Sequence, residues 1–492
     1  MSRPIVAVIS ALAFVTAALL VYANTLAFAW DEGYHLVAAW LIAHGKTPYI
    51  DFLFPQTPLN AYWNAFLLHT IKETWHVPHT AAALLTSAAT AMTSVHVYRR
   101  LDAPQSWRAA AAVVTAFTME LNIAVYEFGS LQAYGLCLFL IVAAYILTVE
   151  SVDKPGALRP GLAGLCTGIA ASSSLLSAPV SPILLVWMLI ANREGSRTKK
   201  LLAWIVGVAI AFIPLLRLLI ESPRQVIFGF LQYELLFRKV EWDDATMHNL
   251  GEAFAFGDSP QAVLLVLLAI AGLVLLKKRI PTAPGAKALV KLKNELWLCL
   301  SLTFILSAYL MTARPTFTRY YLMTVPFLSI AAAVGLYEVT SRLTTRPRPI
   351  LSAAILCVIT TYCLGASLFE QRDDLIWSDM EKTAAKVKQV TPASGVLLAD
   401  EPTYFLLHRT PPTGMELEDS HKLRFSDADS KALHVVPRHK LDLMIKSGRF
   451  DTVEMCDDDE IARIGLASLY AKSETAGTCQ VFWQWQPKPK SE

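Results

Sequence analysis

Apolar stretches close to the length of a membrane span recur from residue 5 to residue 368 and then stop. A helix needs about 20 predominantly apolar residues to cross a bilayer. The composition agrees, because 54% of the 492 residues are hydrophobic and only 17% are charged, against about 25% charged in a typical soluble domain. The sequence therefore predicts a mainly α, multi-pass membrane protein that ends in a polar tail.

Nine of these stretches are each predicted to form one span. They cover residues 5–28, 80–98, 109–126, 131–149, 201–220, 262–276, 296–312, 320–339 and 350–368. The run 161–191 is too long for one helix and contains Pro179 and Pro182, and proline breaks a helix interior because it lacks an amide N–H. Two short helices are predicted there, which brings the count to about eleven.

The basic residues predict the orientation, because short cytoplasmic loops carry an excess of Lys and Arg. The stretch 59–71 is too short to span, and we interpret it as an amphipathic helix along the outer interface. Every short basic loop then faces the cytoplasm, and so does the N-terminus. We therefore predict a transmembrane domain over residues 1–369, whose outer loop 29–58 precedes the interfacial helix, and an extracytoplasmic α/β domain over residues 370–492.

The tail alternates candidate helices with short apolar runs that are typical of strands. The helices are predicted at 373–388 and 440–447, and the strands at 396–399, 435–436, 452–455 and 480–485. Five of the seven cysteines lie in apolar stretches without paired metal-ligand spacing. Cys456 and Cys479 are therefore the pair that could form a structural disulfide.

An acidic pair, Asp31-Glu32, directly follows the first span. Apolar residues at helical spacing come next, so a helix lying in the membrane interface is predicted. Residues four apart share a helix face, and Asp31 would therefore lie beside His35. Two interpretations stay open, since acidic residues favour helix N-termini and a carboxylate beside an imidazole is also typical of a catalytic site.

The wider pattern resembles the GT-C glycosyltransferases, in particular the branch that contains the protein O-mannosyltransferases and the lipid A aminoarabinose transferase. The acidic pair is followed by the segments Gly45-Lys46-Thr47-Pro48-Tyr49, Phe54-Pro55-Gln56-Thr57-Pro58-Leu59-Asn60-Ala61-Tyr62-Trp63 and Tyr98-Arg99-Arg100-Leu101. Weaker similarity extends to residues 172–182 and to Arg319-Tyr320-Tyr321-Leu322-Met323-Thr324-Val325-Pro326.

The resemblance implies an inverting glycosyltransferase in a bacterial cytoplasmic membrane. Its donor would be a polyprenyl-phosphate-linked sugar, and its acceptor a lipid, a glycan or a protein on the outer face. A hydroxyl group is a poor nucleophile until a base withdraws its proton. The resemblance therefore makes Asp31 the expected base, with Glu32 positioning Asp31 or the acceptor.

The leaving phosphate needs positive charge nearby, and here the sequence departs from the family. Gln56 and Thr57 stand before Pro58, where a lysine is expected, and Gln132 stands where an acid is expected. Glu127 either replaces that acid or ends its helix, and Arg319 either binds the donor phosphate or anchors at the interface. The candidates for donor or acceptor binding are His35, Lys46, Glu127, Arg314, Arg319 and Tyr320.

No metal ligand is assigned, and a divalent cation is left open as a cofactor. The net charge of +3 is too small to indicate a nucleic-acid partner. Two rival functions are a transporter or flippase of a lipid-linked glycan and an inactive GT-C-like assembly subunit. A transporter would be expected to carry several charges at mid-depth and an internal repeat, whereas Glu120 is the one carboxylate deep within a predicted span.

Overall fold

The computed structural model describes residues 2–131, 133–237, 244–280, 286–343, 348–417 and 425–486. Its α-helices are numbered in chain order: α1 Arg3–Ala23, α2 Glu32–Ala43, α3 Leu59–Thr70, α4 His76–Arg100, α5 Gln105–Glu120, α6 Ile123–Phe128, α7 Tyr134–Ser151, α8 Leu158–Ser173, α9 Val180–Ala191, α10 Arg197–Ala211, α11 Ile213–Glu221, α12 Pro223–Ile227, α13 Thr246–Gly257, α14 Pro260–Arg279, α15 Ala286–Leu310, α16 Val325–Leu343, α17 Pro349–Glu370, α18 Trp377–Val390, α19 Glu401–Leu407, α20 Asp427–Ala432, α21 Arg438–Lys446 and α22 Asp458–Ile464. The strands are β1 Leu397–Leu398, β2 Thr452–Met455, β3 Tyr470–Ala476 and β4 Cys479–Trp485.

Internal contacts divide the chain into two compact units, each built from three segments. Unit 1 contains Met1–Asn24, His79–Pro214 and Trp242–Asp373. Unit 2 contains Thr25–Pro78, Leu215–Glu241 and Asp374–Glu492. The polar tail therefore belongs to the same unit as the loop that carries the acidic pair.

Within the described residues, five helices are long and apolar enough to cross a membrane by length and composition: α1, α7, α14, α17 and α16 together with the turn before it. The pair α10 and α11 adds a sixth if it is one span, bent by 52°. The predicted count of eleven spans stays a prediction.

Glycines allow close helix packing in unit 1. A Cβ atom on Gly335 of α16 would lie 1.9 Å from the carbonyl oxygen of Leu268 in α14, and Gly272 of α14 faces Gly335 in the same crossing. A Cβ atom on Gly207 of α10 would lie 2.1 Å from the carbonyl oxygen of Gly161 in α8. Small residues at such crossings let two backbones approach, which strengthens van der Waals packing between apolar helices.

The predicted break near the paired prolines is confirmed, because α8 and α9 are separate helices joined by a 3₁₀ turn, Leu175–Ser177. The stretch 109–126, predicted to form one span, is not one continuous helix. Helix α5 ends at Glu120 and a short helix, α6, follows. The side chain of Asn122 caps α6 by accepting a hydrogen bond of 3.1 Å from the amide of Ala124, so a new helix starts within an apolar run.

The tail of unit 2 contains a four-stranded sheet with the order β1-β2-β4-β3. β1 pairs with β2 in parallel, and the other two pairs are antiparallel. The predicted strands at 396–399, 452–455 and 480–485 are confirmed as β1, β2 and β4, with small changes of bounds. The strand predicted at 435–436 is wrong, because the Val435 and Val436 amides donate to carbonyl oxygens in turns, those of Ser430 and Gly414.

The candidate cysteine pair is a disulfide. Cys456 follows β2, and it is bonded to Cys479 at the start of β4. The other five cysteines, which lie in unit 1, are free thiols. The bond fastens one end of the central antiparallel strand pair in unit 2.

Candidate active site

The acidic pair lies at the start of α2, which confirms the helix predicted after it. Gly45 follows the helix with φ +85°, a conformation that favours glycine and commonly ends helices. At the other end, a Cβ atom on Gly33 would lie 2.5 Å from Cδ of Pro402 in α19. The first turn of α2 is therefore packed directly against the tail, within unit 2.

Asp31 is half-buried and directly precedes the first residue of α2. Its backbone is already helical, with φ −55° and ψ −16°, and its carboxylate makes no capping hydrogen bond to the helix. An N-cap residue normally has extended backbone and accepts a bond from an amide of the first turn. The hydrogen bond on which the capping interpretation of Asp31 depends is therefore not formed.

Glu32 is 2% exposed, and its buried carboxylate has a donor from the tail. The indole N–H of Trp377 donates to Oε2 of Glu32 over 3.3 Å. The Trp377 ring stacks on Trp75 with centroids 5.2 Å apart and meets the edge of Phe28 at 5.4 Å. An aromatic cluster thus fixes the donor that orients the Glu32 side chain.

Replacing Trp377 with Phe is expected to destabilise the fold by about 1–3 kcal/mol, because a buried acceptor loses a hydrogen-bond donor. The sugar transfer that the sequence resemblance predicts should also fall, since the Trp377 indole would no longer orient Glu32. The matched control is Trp75→Phe, which removes an indole N–H of the same stack that donates to Glu381. Thermal unfolding and transfer rate are measured together, and equal losses of transfer in the two variants would contradict an orienting role for Trp377.

His35 is 2% exposed, and neither ring nitrogen has a hydrogen-bond partner among the described residues. Its ring stacks on Tyr34 at 4.2 Å and meets the edge of Phe54 at 6.3 Å. Burial lowers the pKa of His35 to about 4, and the charge of Asp31 opposes this shift. The imidazole is therefore neutral at neutral pH, with one nitrogen able to donate and the other able to accept.

The lowered pKa of His35 predicts a loss of stability in acid. Between about pH 6.5 and pH 4 a proton binds to His35 more readily in the unfolded chain than in the folded one. The contribution of neutral His35 to the free energy of unfolding is therefore complete above pH 6.5, and it falls by on the order of 3 kcal/mol as the pH approaches 4. The unfolding midpoint should drop more in the native protein than in His35→Phe between pH 7.5 and pH 5. The exposed His69 offers the control, since His69→Phe should keep the native pH dependence.

Lys46, the second of the binding candidates in this unit, is exposed just after α2. It lies near Glu416, a buried carboxyl that sequence reasoning missed. Burial raises the pKa of Glu416 to about 7, while bonds from nearby backbone amides, such as that of Gly414 at 2.8 Å, and the charge of Lys46 lower it. No local pattern in the sequence marks Glu416, because its environment is built by segments distant in the chain.

Unit 1 contains the other four candidates. Arg319 and Tyr320 lie on a 3₁₀ helix, Thr318–Thr324, that leads into α16. The Arg319 guanidinium carbon is 4.3 Å from the ring centroid of Phe317, a cation–π contact. Tyr320 is buried, whereas Arg314 is exposed on the loop before this helix.

Helix α13 fixes that loop. Asn249 donates to the carbonyl oxygens of Met311 and Ala313 over 2.9 Å and 2.8 Å, and it accepts from the Thr316 amide over 2.8 Å. Glu252 accepts from the amide of Thr318 over 2.6 Å, at the residue before Arg319. Both arginines are therefore presented by a backbone that α13 positions.

Glu127 lies on α6 and is buried, and its Oε1 accepts a hydrogen bond of 2.9 Å from Ser367 in α17. α6 packs against the 3₁₀ helix that carries Arg319 and Tyr320. The structure thus packs the short helix that carries Glu127 against the one that carries these two residues, within unit 1. Gln132, where an acid was expected, lies outside the described residues.

A separate group of four side chains in the tail has the composition of a metal site. Among the described residues, Asp400, Glu454, Cys456 and Cys479 place one ligand atom each within 4.8 Å of one another. Both sulfurs are joined in the disulfide, however, so neither is available as a thiolate ligand. The use of a divalent cation as a cofactor stays open.

Comparison with solved structures finds similar folds over most of the chain. ArnT from Cupriavidus metallidurans bound to undecaprenyl phosphate matches with a TM-score of 0.66 at 13% identity, covering 97% of each chain. Its apo form gives a TM-score of 0.67 at 12% identity, covering 96% of this chain and 97% of that one. The apo oligosaccharyltransferase of Archaeoglobus fulgidus gives 0.52 at 12% identity, covering 93% and 70%. No protein-family model and no curated protein matches the sequence.

The chain shares the fold of these structures, and this is the fold expected from its resemblance to the GT-C glycosyltransferases. It is mainly α with a small sheet, and five of the described helices are long and apolar enough to cross a membrane. The likeness to ArnT extends over nearly the full length of both chains, tail included.

Proposed function

We propose that this protein is an inverting glycosyltransferase that uses a polyprenyl-phosphate-linked sugar. The observation that carries the proposal is the placement of Asp31, a half-buried carboxylate at the start of α2, directly before a buried glutamate that accepts a hydrogen bond from Trp377. The GT-C fold supports the choice of donor, since one structure with this fold contains undecaprenyl phosphate.

In the proposed reaction, an acceptor hydroxyl oxygen attacks the anomeric carbon of the donor sugar. Asp31 takes the hydroxyl proton as the new C–O bond forms, and the sugar–phosphate C–O bond breaks with its electron pair leaving on the phosphate. General base catalysis of this kind typically contributes about 10²- to 10⁴-fold. A single displacement inverts the anomeric configuration.

Glu32 is proposed to position Asp31 or the acceptor, because its carboxylate is buried and oriented by Trp377. The neutral His35 is proposed to hydrogen-bond a substrate hydroxyl with its free ring nitrogens. For the donor phosphate we propose Arg319 and Arg314, since a guanidinium binds phosphate oxygens bidentately. Lys46, Glu127 and Tyr320 remain candidates for contacts with donor or acceptor.

The proposed location is the cytoplasmic membrane of a bacterium, with loop 29–58 and the tail on the outer face. This orientation rests on the distribution of Lys and Arg among the short loops. The proposed acceptor is a hydroxyl-bearing lipid, glycan or protein that reaches that face.

The test is a transfer assay with purified full-length protein, labelled polyprenyl-phosphate sugars and a membrane extract. Label should move from the carrier to an acceptor, and the product should have the inverted anomeric configuration. Retained configuration would contradict the mechanism. If the labelled lipid crosses the membrane of proteoliposomes without sugar transfer, the protein is a flippase and the proposal is wrong. If neither transfer nor lipid movement is detected, an inactive assembly subunit is favoured.

A further inference from the structure

A cavity of about 360 Å³ lies in unit 1 at the ends of α4, α7 and α15. Its lining contains four basic side chains, Arg99, Arg100, Lys154 and Lys291, and three apolar ones, Met92, Val95 and Ile146, called the apolar wall below. The other lining residues are His96, Glu150 and Asp153. This cavity is formed by residues that the proposed transfer reaction does not use.

Two of the four cations in the cavity are already paired. Arg100 lies 3.2 Å from a carboxylate oxygen of Glu295, and Lys291 forms an ion pair with Asp153. Within the described part of the chain, Arg99 and Lys154 have no ion pair or hydrogen bond through their side chains, and both are exposed. These two cations are therefore available to an anionic ligand.

The acids in and beside the cavity have basic partners. Glu150 lies 3.4 Å from Arg159, and the buried Glu295 also lies 3.4 Å from His96 Nε2 at the wall of the cavity. Pairing removes much of the repulsion that these carboxylates would exert on an anion. The unpaired charge of the cavity is consequently positive.

The apolar wall favours a lipid over a free inorganic anion as the ligand. Val95 is exposed on the same helix as Arg99, one turn away, and Met92 lies one turn further along α4. A free inorganic anion would gain nothing from these side chains, whereas a lipid can place its phosphate on the cations and its chain on the apolar wall. Basic pockets between helix ends at a membrane surface commonly bind anionic headgroups in this way.

We propose that this cavity binds the phosphate group of an anionic phospholipid from the adjoining leaflet, with Arg99 and Lys154 as the contacting cations. The positive-inside distribution predicts that this leaflet is the cytoplasmic one. The site is independent of the donor and acceptor sites proposed above, and its test does not require transfer activity.

The experiment is native mass spectrometry of the purified full-length protein titrated with phosphatidylglycerol or phosphatidylcholine. Arg99→Gln combined with Lys154→Gln should weaken phosphatidylglycerol binding by about tenfold or more and leave the weaker phosphatidylcholine binding unchanged. The matched control is Lys277→Gln with Lys278→Gln, two exposed cations in the last turn of α14, which should bind like the native protein. The charge-preserving double variant Arg99→Lys with Lys154→Arg should still bind phosphatidylglycerol. Its binding would show that the double Gln variant fails because it lacks the two charges and not because it is misfolded.

Equal phosphatidylglycerol affinity in the native protein and the Arg99→Gln, Lys154→Gln variant would overturn the proposal. So would an equal loss in the control variant, because the effect would then come from general surface charge. A parallel titration uses inorganic phosphate and pyrophosphate. If these ions bind with the same dependence on Arg99 and Lys154 while phosphatidylglycerol does not, the site takes a soluble anion and the lipid assignment is wrong.

Discussion

The variant Asp31→Asn is expected to lose about 10²- to 10⁴-fold of the sugar-transfer rate, the range that a positioned general base contributes. The amide has nearly the shape of the carboxylate but cannot accept the acceptor proton at neutral pH. The measurement is the initial transfer rate at saturating donor, accompanied by the unfolding temperature.

The control for this variant is Asp374→Asn, which removes an exposed carboxylate of the same unit and should leave the rate unchanged. Glu32→Gln is expected to have a smaller effect on transfer than Asp31→Asn, because the amide can still accept the Trp377 hydrogen bond. A normally folded Asp31→Asn protein with the full rate would remove Asp31 from the mechanism.

The second large effect is expected on stability, from Gly335→Ala. The added Cβ would lie 1.9 Å from the Leu268 carbonyl oxygen, far inside van der Waals contact, so α14 and α16 must move apart. Overpacking of this kind typically costs about 1–3 kcal/mol. The unfolding temperature in detergent, followed by size-exclusion chromatography after heating, should fall clearly below that of the native protein.

Gly365 in α17 provides the comparison, because a Cβ there meets no atom of the described chain within 4 Å. Gly365→Ala should be neutral or slightly stabilising, by up to about 1 kcal/mol, since alanine favours a helix over glycine. If both variants unfold at the native temperature, the close approach of α14 and α16 does not limit stability.

Much of the helical architecture follows from apolar spacing and proline. The helices after the acidic pair and after Pro58, and the break near Pro179, are all predictable because the signals lie within a few residues of the element. The break between α5 and α6 is not, since the run 109–126 is mostly apolar and the side chain of Asn122 starts a new helix. A few polar residues in such a run, here Glu120 and Asn122, do not by themselves predict that the helix is interrupted.

The tail shows where strand prediction fails. β3 lies at the edge of the sheet with five consecutive exposed residues, so it has none of the apolar alternation that marks a half-buried strand. Val435 is buried like a strand residue, but it packs in a hydrophobic cluster with Leu53 and Phe228 instead of pairing. Burial and strand pairing are separate properties, and the residue type reports only the first.

The acidic pair itself is visible in the sequence because its residues are neighbours. Its surroundings are not, because the Trp377 donor lies 345 residues from Glu32 and the Glu416 carboxyl is equally remote from Lys46. The local sequence predicts the helix that begins after Asp31. The hydrogen bonds and charges around Glu32 and Lys46 depend on packing between segments that are far apart in the chain. The roles of the individual site residues accordingly remain predictions.

The composition of unit 2 limits how the tail can be exchanged between related proteins. Trp377 and Pro402 of the tail contact the first turn of α2, and the contacts of the tail group it with Thr25–Pro78 and Leu215–Glu241. A chimera that takes only the tail from a related protein would cut through this core and separate Glu32 from the Trp377 donor. The smallest exchangeable module is the set of three segments, transplanted together.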